Sequence, residues 1–376
     1  MTSIGGVEMV DWNLAVATAT RFVRPGPEVS KDEARAVVAE LRRHARASEE
    51  HVRGFTRMIP ESHQPEDTPI LVVDRAGWVR ANVAGFRELL KPLLEKMQER
   101  RPGGPTGAVL GAVGGKVTGV ELGMLLSFLA SRVLGQYETF APATRELPAG
   151  ANGGGRLLLV APNIVHVERE LEVDPHDFRL WVCLHEETHR TQFTGVPWLR
   201  DHLEGEIQSF LGQTDVDPMT ILERLREAAQ SLAGARPEGE ENDSGKSIVE
   251  LVQTPAQREI LGRLTAVMSL LEGHADYVMD GIGPDVVPSV AEIREKFQQR
   301  RARGASRLDL ALRKLLGLDA KLRQYRDGER FVRAVVDEVG MDGFNRVWTS
   351  PNTLPTKAEI AKPADWVARV HRKADS

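Results

Sequence analysis

The sequence predicts a mainly α-helical protein with one small β element. Apolar residues recur at helical spacing along most of the chain, and a single stretch, Arg156–Val167, departs from that rhythm. With 41% hydrophobic and 27% charged residues over 376 positions, the chain is long enough to bury one large core or two modest ones.

The helical reading runs in order through Trp12–Val23, Ala34–Met58, Trp78–Met97 and Val120–Leu134, each set off by Pro- or Gly-bearing breaks. Ser30 followed by Glu33 has the form of a capping box, and the run Arg101-Pro102-Gly103-Gly104-Pro105 stops the third helix. Leu157-Leu158-Leu159-Val160, then Ile164-Val165 beyond Ala161-Pro162-Asn163, predict one or two short strands. Beyond Asp174 and His176 an apolar helix is expected from Phe178 to about Phe193, then helices at Pro197–Leu211 and Pro218–Leu232. Residues 233–246 are polar and acidic and are expected to be a mobile linker. Helical patterning resumes at Ile248–Met279, Val290–Arg301, Asp309–Leu316 and Glu329–Val339, before a Pro-bearing tail around Ser350–Pro363.

The 49 basic and 54 acidic residues are mixed along the chain, giving a net charge of −5, so no basic stripe points to nucleic acid or to an anionic membrane. A lone cysteine, Cys183, excludes an intramolecular disulfide framework and a thiolate-rich zinc site, which suits a reducing, cytoplasmic setting. Neither a signal-like N-terminus nor a membrane-length apolar run is expected, so no membrane insertion. The stretch Gly111–Thr118 lacks the spacing of a phosphate-binding loop, and small residues that let two helices approach are the better account of it.

The chemistry concentrates in His185-Glu186-Glu187-Thr188-His189. Residues four apart on a helix share a face, so His185 and His189 can present ring nitrogens to one ion while Glu186 reaches its open side. A glutamate beside a metal-acidified water is the arrangement for hydrolysis, and Zn2+ is the expected ion. The surrounding Phe178, Leu180, Trp181, Val182 and Leu184 predict a buried helix, where unpaired histidines are costly. A third ligand is sought in Leu270–Tyr277, where Glu272 and Asp276 are again four apart: Glu272 could bind the ion while Asp276 receives the N–H of a ligating histidine. His274, on another side of that helix, competes with Glu272, or could donate to an oxyanion, or could simply fill space between helices.

HEETH, together with Val133–Tyr137, Leu159–Asn163, the run SLLEGHADYVMD from Ser269 to Asp280, and Arg323–Gly328 with Phe331, resembles the zincin-like metallopeptidases typical of actinobacteria, a family sometimes labelled with deazaflavin-coenzyme biosynthesis. The resemblance extends from about residue 10 to residue 370 and implies a zincin-like, gluzincin-type core: His185, His189 and Glu272 as zinc ligands and Glu186 as general base. It also implies that Tyr325, within a shared motif, is the favoured oxyanion donor over Tyr137 and Tyr277, and that Leu157–Val160 pairs with an extended substrate through a free backbone edge.

The expected organisation is an N-terminal helical region, 1–150, and a zincin-like catalytic region, 151–376. The expected partner is a peptide or protein substrate, and the sequence does not specify an oligomeric state. The alternative function is a catalytically idle zincin fold that sequesters a peptide or partner; the intact Glu186 favours the enzyme.

Overall fold

The computed structural model describes residues 9–58, 68–99, 105–140, 155–212, 255–303 and 318–371. The acidic segment 233–246 and the helices expected at Pro218–Leu232 and Asp309–Leu316 lie outside the described residues. The described residues divide into two compact units, one within Met1–Arg42 and Glu66–Glu170, the other within Arg43–Pro65, Leu171–Thr214 and Gln230–Ser376.

The first unit begins with α1 (Trp12–Phe22), whose free N–H at Leu14 is capped by the Asp11 carboxylate at 2.9 Å, and the N-terminal part of α2 (Lys31–Thr56). The expected cap of α2 is present in one half: Glu33 N donates to Ser30 Oγ at 3.1 Å, while the Glu33 carboxylate meets Arg169 at 2.6 Å. α3 (Arg75–Glu99) and α4 (Pro105–Ala130) follow β1 (Ile70–Val73). α4 reaches back through the Gly-rich stretch, and its small residues do let helices approach. Asp11 N donates to Gly115 O at 3.0 Å, and a Cβ on Gly123 would stand 2.6 Å from Ala15 O on α1.

β2 (Gly135–Glu138) and β3 (Arg156–Val160) complete a three-stranded sheet of order β1-β3-β2. β3 runs parallel to β1, with Ile70 opposite Leu157, and antiparallel to β2, with Tyr137 opposite Leu157. All five β3 residues are buried, which explains a continuous apolar run in place of alternation. Being paired on both sides, β3 has no free edge for a substrate strand, and that expectation is corrected. The expected second strand at Ile164-Val165 is also corrected: these residues lie on α5 (Ala161–Leu171). Pro162 is tolerated in the first helical turn, and Ile164, Val167 and Leu171 then fall on one buried helical face. Asn163 ties the unit together, donating to Ala130 O (2.8 Å) and Val133 O (2.7 Å) while accepting from Arg75 Nε (2.7 Å).

The second unit is helical. It contains the rest of α2, α6 (Pro175–Gly195), α7 (Pro197–Gly212), α8 (Pro255–Ile282), α9 (Val290–Arg303) and α10 (Leu318–Phe344), which kinks at Gly340 (φ 71°). Two 3-10 turns, Asn345–Trp348 and Pro351–Thr353, lead to α11 (Lys357–Ala361) and α12 (Pro363–His371), so the Pro-bearing tail is ordered structure. α8 crosses α10 at two glycines: a Cβ on Gly273 would lie 2.6 Å from Gly328 Cα and closer still to Glu329 N. On its other side, Gly281 gives room to the Phe55 ring. Among the described residues no helix is long and apolar enough to cross a membrane.

Candidate metal centre

α6 positions the histidines. Asp174 caps it by accepting from Asp177 N at 3.0 Å, Pro175 supplies the preset first turn, and Asp177 Oδ2 anchors the start of α9 through Ser289 N (2.8 Å) and Oγ (2.7 Å). Phe178, Leu184 and Cys183 are fully buried, so Cys183 is a core residue as expected. Arg190, 4% exposed, shares its Nε–H between both carboxylate oxygens of Glu187 (3.0 and 2.8 Å) and donates from Nη2 to Glu49 at 2.7 Å, which pins the helix at the level of the motif.

On this helix the Nε2 atoms of His185 and His189 stand 3.2 Å apart. Glu272 on α8 completes the group, one oxygen 3.6 Å from His185 Nε2 and the other 3.8 Å from His189 Nε2. One ligand atom from each residue lies within 4.8 Å of the others, a separation that suits three donors around one ion. Two imidazole nitrogens and one carboxylate oxygen match the donor set of a catalytic zinc site that leaves a coordination position open. The residues present therefore fit a metal ion.

The electrostatics agree with the geometry. Burial opposes charge on His185, yet Glu272, Glu186 and Asp276 outweigh it and push its pKa up to about 9. His189 is lowered, by burial first and then by His185, against the pull of Glu272. Glu186 is 6% exposed, and burial pushes it up to about 7, with Glu272 adding and His185 opposing.

Around this group the structure separates the remaining candidates. Asp276 faces the expected atom, His185 Nδ1, at 3.9 Å, beyond hydrogen-bond reach, while Met279 Sδ occupies the near position at 3.0 Å. His274 is not among the residues that bring a ligand atom to this group. Its ring has no exposed surface, lies stacked on Phe344 at 5.3 Å and edge-on to Trp348 at 5.5 Å, and burial, then His189, lowers its pKa to about 3.

The side chain of Tyr325, on α10, lies outside the described residues. Tyr277 is set against Phe55 (5.8 Å) and Arg333 (5.4 Å), and Tyr137 belongs to β2 in the first unit. His166 is exposed 3.9 Å from Glu170, and His202 rests edge-on to Trp198. Sequence reasoning missed Gln192, which is fully buried and 2.9 Å from His189 Nδ1; its place three positions after His189, on the same helix face, was the one signal of it.

Two helices bringing two imidazoles and a carboxylate to one point define the class: a helical protein with a candidate metal centre. The sequence profile of the zincin-like metallopeptidases matches residues 10–367, and the chain belongs to that family. A crystal structure from Chloroflexus aurantiacus, described as a "putative hydrolase with a novel fold", is similar at 30% identity with a TM-score of 0.65, covering 96% of this chain and 99% of that one. No curated protein matches the chain. The family suggests a hydrolase and implies a metal ion, typically zinc.

Proposed function

We propose that this protein is a zinc-dependent peptide hydrolase in which His185, His189 and Glu272 hold the ion and Glu186 is the general base. The observation that carries the reading is the convergence of those three donors within 4.8 Å beside a buried Glu186 whose carboxyl is raised to about 7.

The bound ion would supply Lewis acidity that brings a water close to neutrality and polarises the scissile carbonyl. The chain's own residues do the rest. Glu186 takes a proton from the attacking water at its carboxylate and delivers it to the departing amine, so that hydrolysis leaves the base as it began. His185 and His189 present their Nε2 atoms from adjacent turns of α6, and Glu272 closes the group from α8. Tyr325 is the proposed donor to the developing oxyanion, resting on its place in the family-like motif Arg323–Gly328.

The test is zinc content per chain, for protein purified without added metal, beside peptide hydrolysis. One zinc in wild type, lost in His185→Ala and Glu272→Ala, with Glu186→Gln keeping zinc and losing turnover, is the expected pattern. Turnover of a verified peptide by Glu186→Gln would remove it as the base. Tight peptide binding without cleavage by the zinc-loaded wild type would favour an idle fold that sequesters its partner.

A further inference from the structure

The carboxamide of Gln192 sits between a proposed metal ligand and a second buried histidine. Gln192 is fully buried on α6, and three groups surround its amide: His189 Nδ1 lies 2.9 Å from Oε1, and Leu271 O (2.9 Å) and His274 Nδ1 (3.0 Å) both lie by Nε2. A backbone carbonyl only accepts, so Leu271 O fixes which end of the amide is nitrogen. With Nε2 committed to Leu271 O, Oε1 must face His189, and an amide oxygen only accepts. His189 Nδ1 must therefore carry a proton. A neutral imidazole protonated at Nδ1 has its lone pair at Nε2, the atom that faces His185 and Glu272.

His274 completes the lock. Its Nδ1 accepts the second Gln192 N–H, which puts its own proton on Nε2, a buried atom with no hydrogen-bond partner among the described residues. Leaving a buried N–H unmatched costs free energy, so the arrangement is not one that local stability alone selects. The aromatic faces of Phe344 and Trp348 hold the ring in place against Gln192.

We infer that Gln192 is a positioning residue for the metal centre: held by Leu271 O and His274, it fixes the tautomer and ring orientation of His189 so that Nε2 is presented to the ion. This rests on the metal-site reading proposed above. The two histidines are thereby unlike: His189 has a neutral oxygen acceptor behind it at hydrogen-bond distance, and His185 has Met279 Sδ.

The experiment compares zinc dissociation constants of full-length wild type, Gln192→Leu and Gln192→Glu by competition with a chromophoric chelator, with the visible spectrum of each cobalt-loaded protein. Gln192→Leu removes the acceptor and is expected to bind zinc about 10–100-fold more weakly, with an altered cobalt spectrum. Gln192→Glu keeps an acceptor for His189 Nδ1–H; the oxygen that replaces Nε2 must carry a proton to keep the bond to Leu271 O, and His274 can move its own proton to Nδ1 to donate to that oxygen. It is expected to bind zinc several-fold more tightly than Gln192→Leu. A purely structural role gives the reverse order, because a buried carboxylate is tolerated less well than a leucine. Wild-type zinc affinity in Gln192→Leu, or weaker binding by Gln192→Glu than by Gln192→Leu, would overturn the inference while leaving the metal site standing. Absence of zinc binding by wild type would overturn both.

Discussion

Substituting Gly273 by alanine tests whether the crossing of α8 and α10 sets the position of Glu272. The new Cβ would lie 2.6 Å from Gly328 Cα and closer still to Gly328 C, where carbon atoms prefer about 3.5–4.0 Å, so the two backbones must part by at least about 1 Å. No flexible side chain can yield here, because the opposing atoms are all main chain. Overpacking of this kind costs about 1–3 kcal/mol and sometimes more. At about 2–4 °C per kcal/mol for a domain of 150–250 residues, the melting temperature should fall by roughly 2–12 °C. Glu272 adjoins the shifted residue, so zinc affinity should fall as well. The same helix supplies the control: a Cβ on Gly262 would meet nothing within 4 Å, and Gly262→Ala should gain about 0.5–1 kcal/mol from helix propensity. Thermal melts and zinc titrations of both variants decide the matter. A Gly273→Ala melt equal to or above wild type would refute the reasoning, as would equal losses in the two variants.

Three further expectations follow from buried charge and from metal linkage. Arg190→Met should cost about 3–5 kcal/mol by leaving Glu187 buried and uncompensated, and adding Glu187→Gln should recover most of it, as chemical denaturation of the single and double variants will show. Arg369 holds Glu359 (2.6 Å) and the carbonyls of Asn352 (2.6 Å) and Leu354 (3.0 Å). Burial would raise the Glu359 carboxyl, but bonds from Arg369 and Thr356 outweigh it and hold it below its ordinary 4.5. A depressed folded pKa gives stability that is present above 4.5 and lost as pH falls through the folded value. The gap between wild type and Arg369→Leu should therefore be widest near neutrality and narrow below pH 4.5 in urea midpoints measured across pH. Zinc at a hundredfold excess over its dissociation constant should stabilise wild type by about 2.7 kcal/mol and leave the melts of His185→Ala and Glu272→Ala unmoved.

The parts of the centre that obey a local rule are legible in the amino-acid order. His185 and His189 share a helix face by spacing alone, and the Glu272–Asp276 pair marks the right face of α8. What the order hides depends on partners far away in the chain. Gln192 becomes informative only when Leu271 O and His274 are set opposite it, and Met279 has no sequence mark to separate it from any other core methionine. The strand at Leu157–Val160 is visible as an apolar run, but its central place is not, because β1 and β2 have four residues each and Gly135-Gln136-Tyr137-Glu138 carries no strand-like alternation of large apolar groups. Ile164-Val165 misleads because β-branched residues favour strands, and here burial against a helix face prevails. The helical expectation is sound over the long amphipathic segments, where many residues vote for one period.

The later part of α2 belongs to the unit that holds the metal centre, and this bears on the order in which the chain can become organised during synthesis. Thr56 O receives the Asn345 side chain across 289 positions, Arg57 meets Asp342 at 2.8 Å, and Glu49 grips Arg190 from 141 positions earlier. Residues 43–58 therefore leave the ribosome long before most of what they pack against exists. Contacts so distant in sequence close slowly, because the loop entropy is lost before the contact compensates for it. A truncated chain starting at residue 151 would lack the Phe55 ring that rests on Gly281 and the carboxylate that holds Arg190, and it would begin life with that wall of its core open to water.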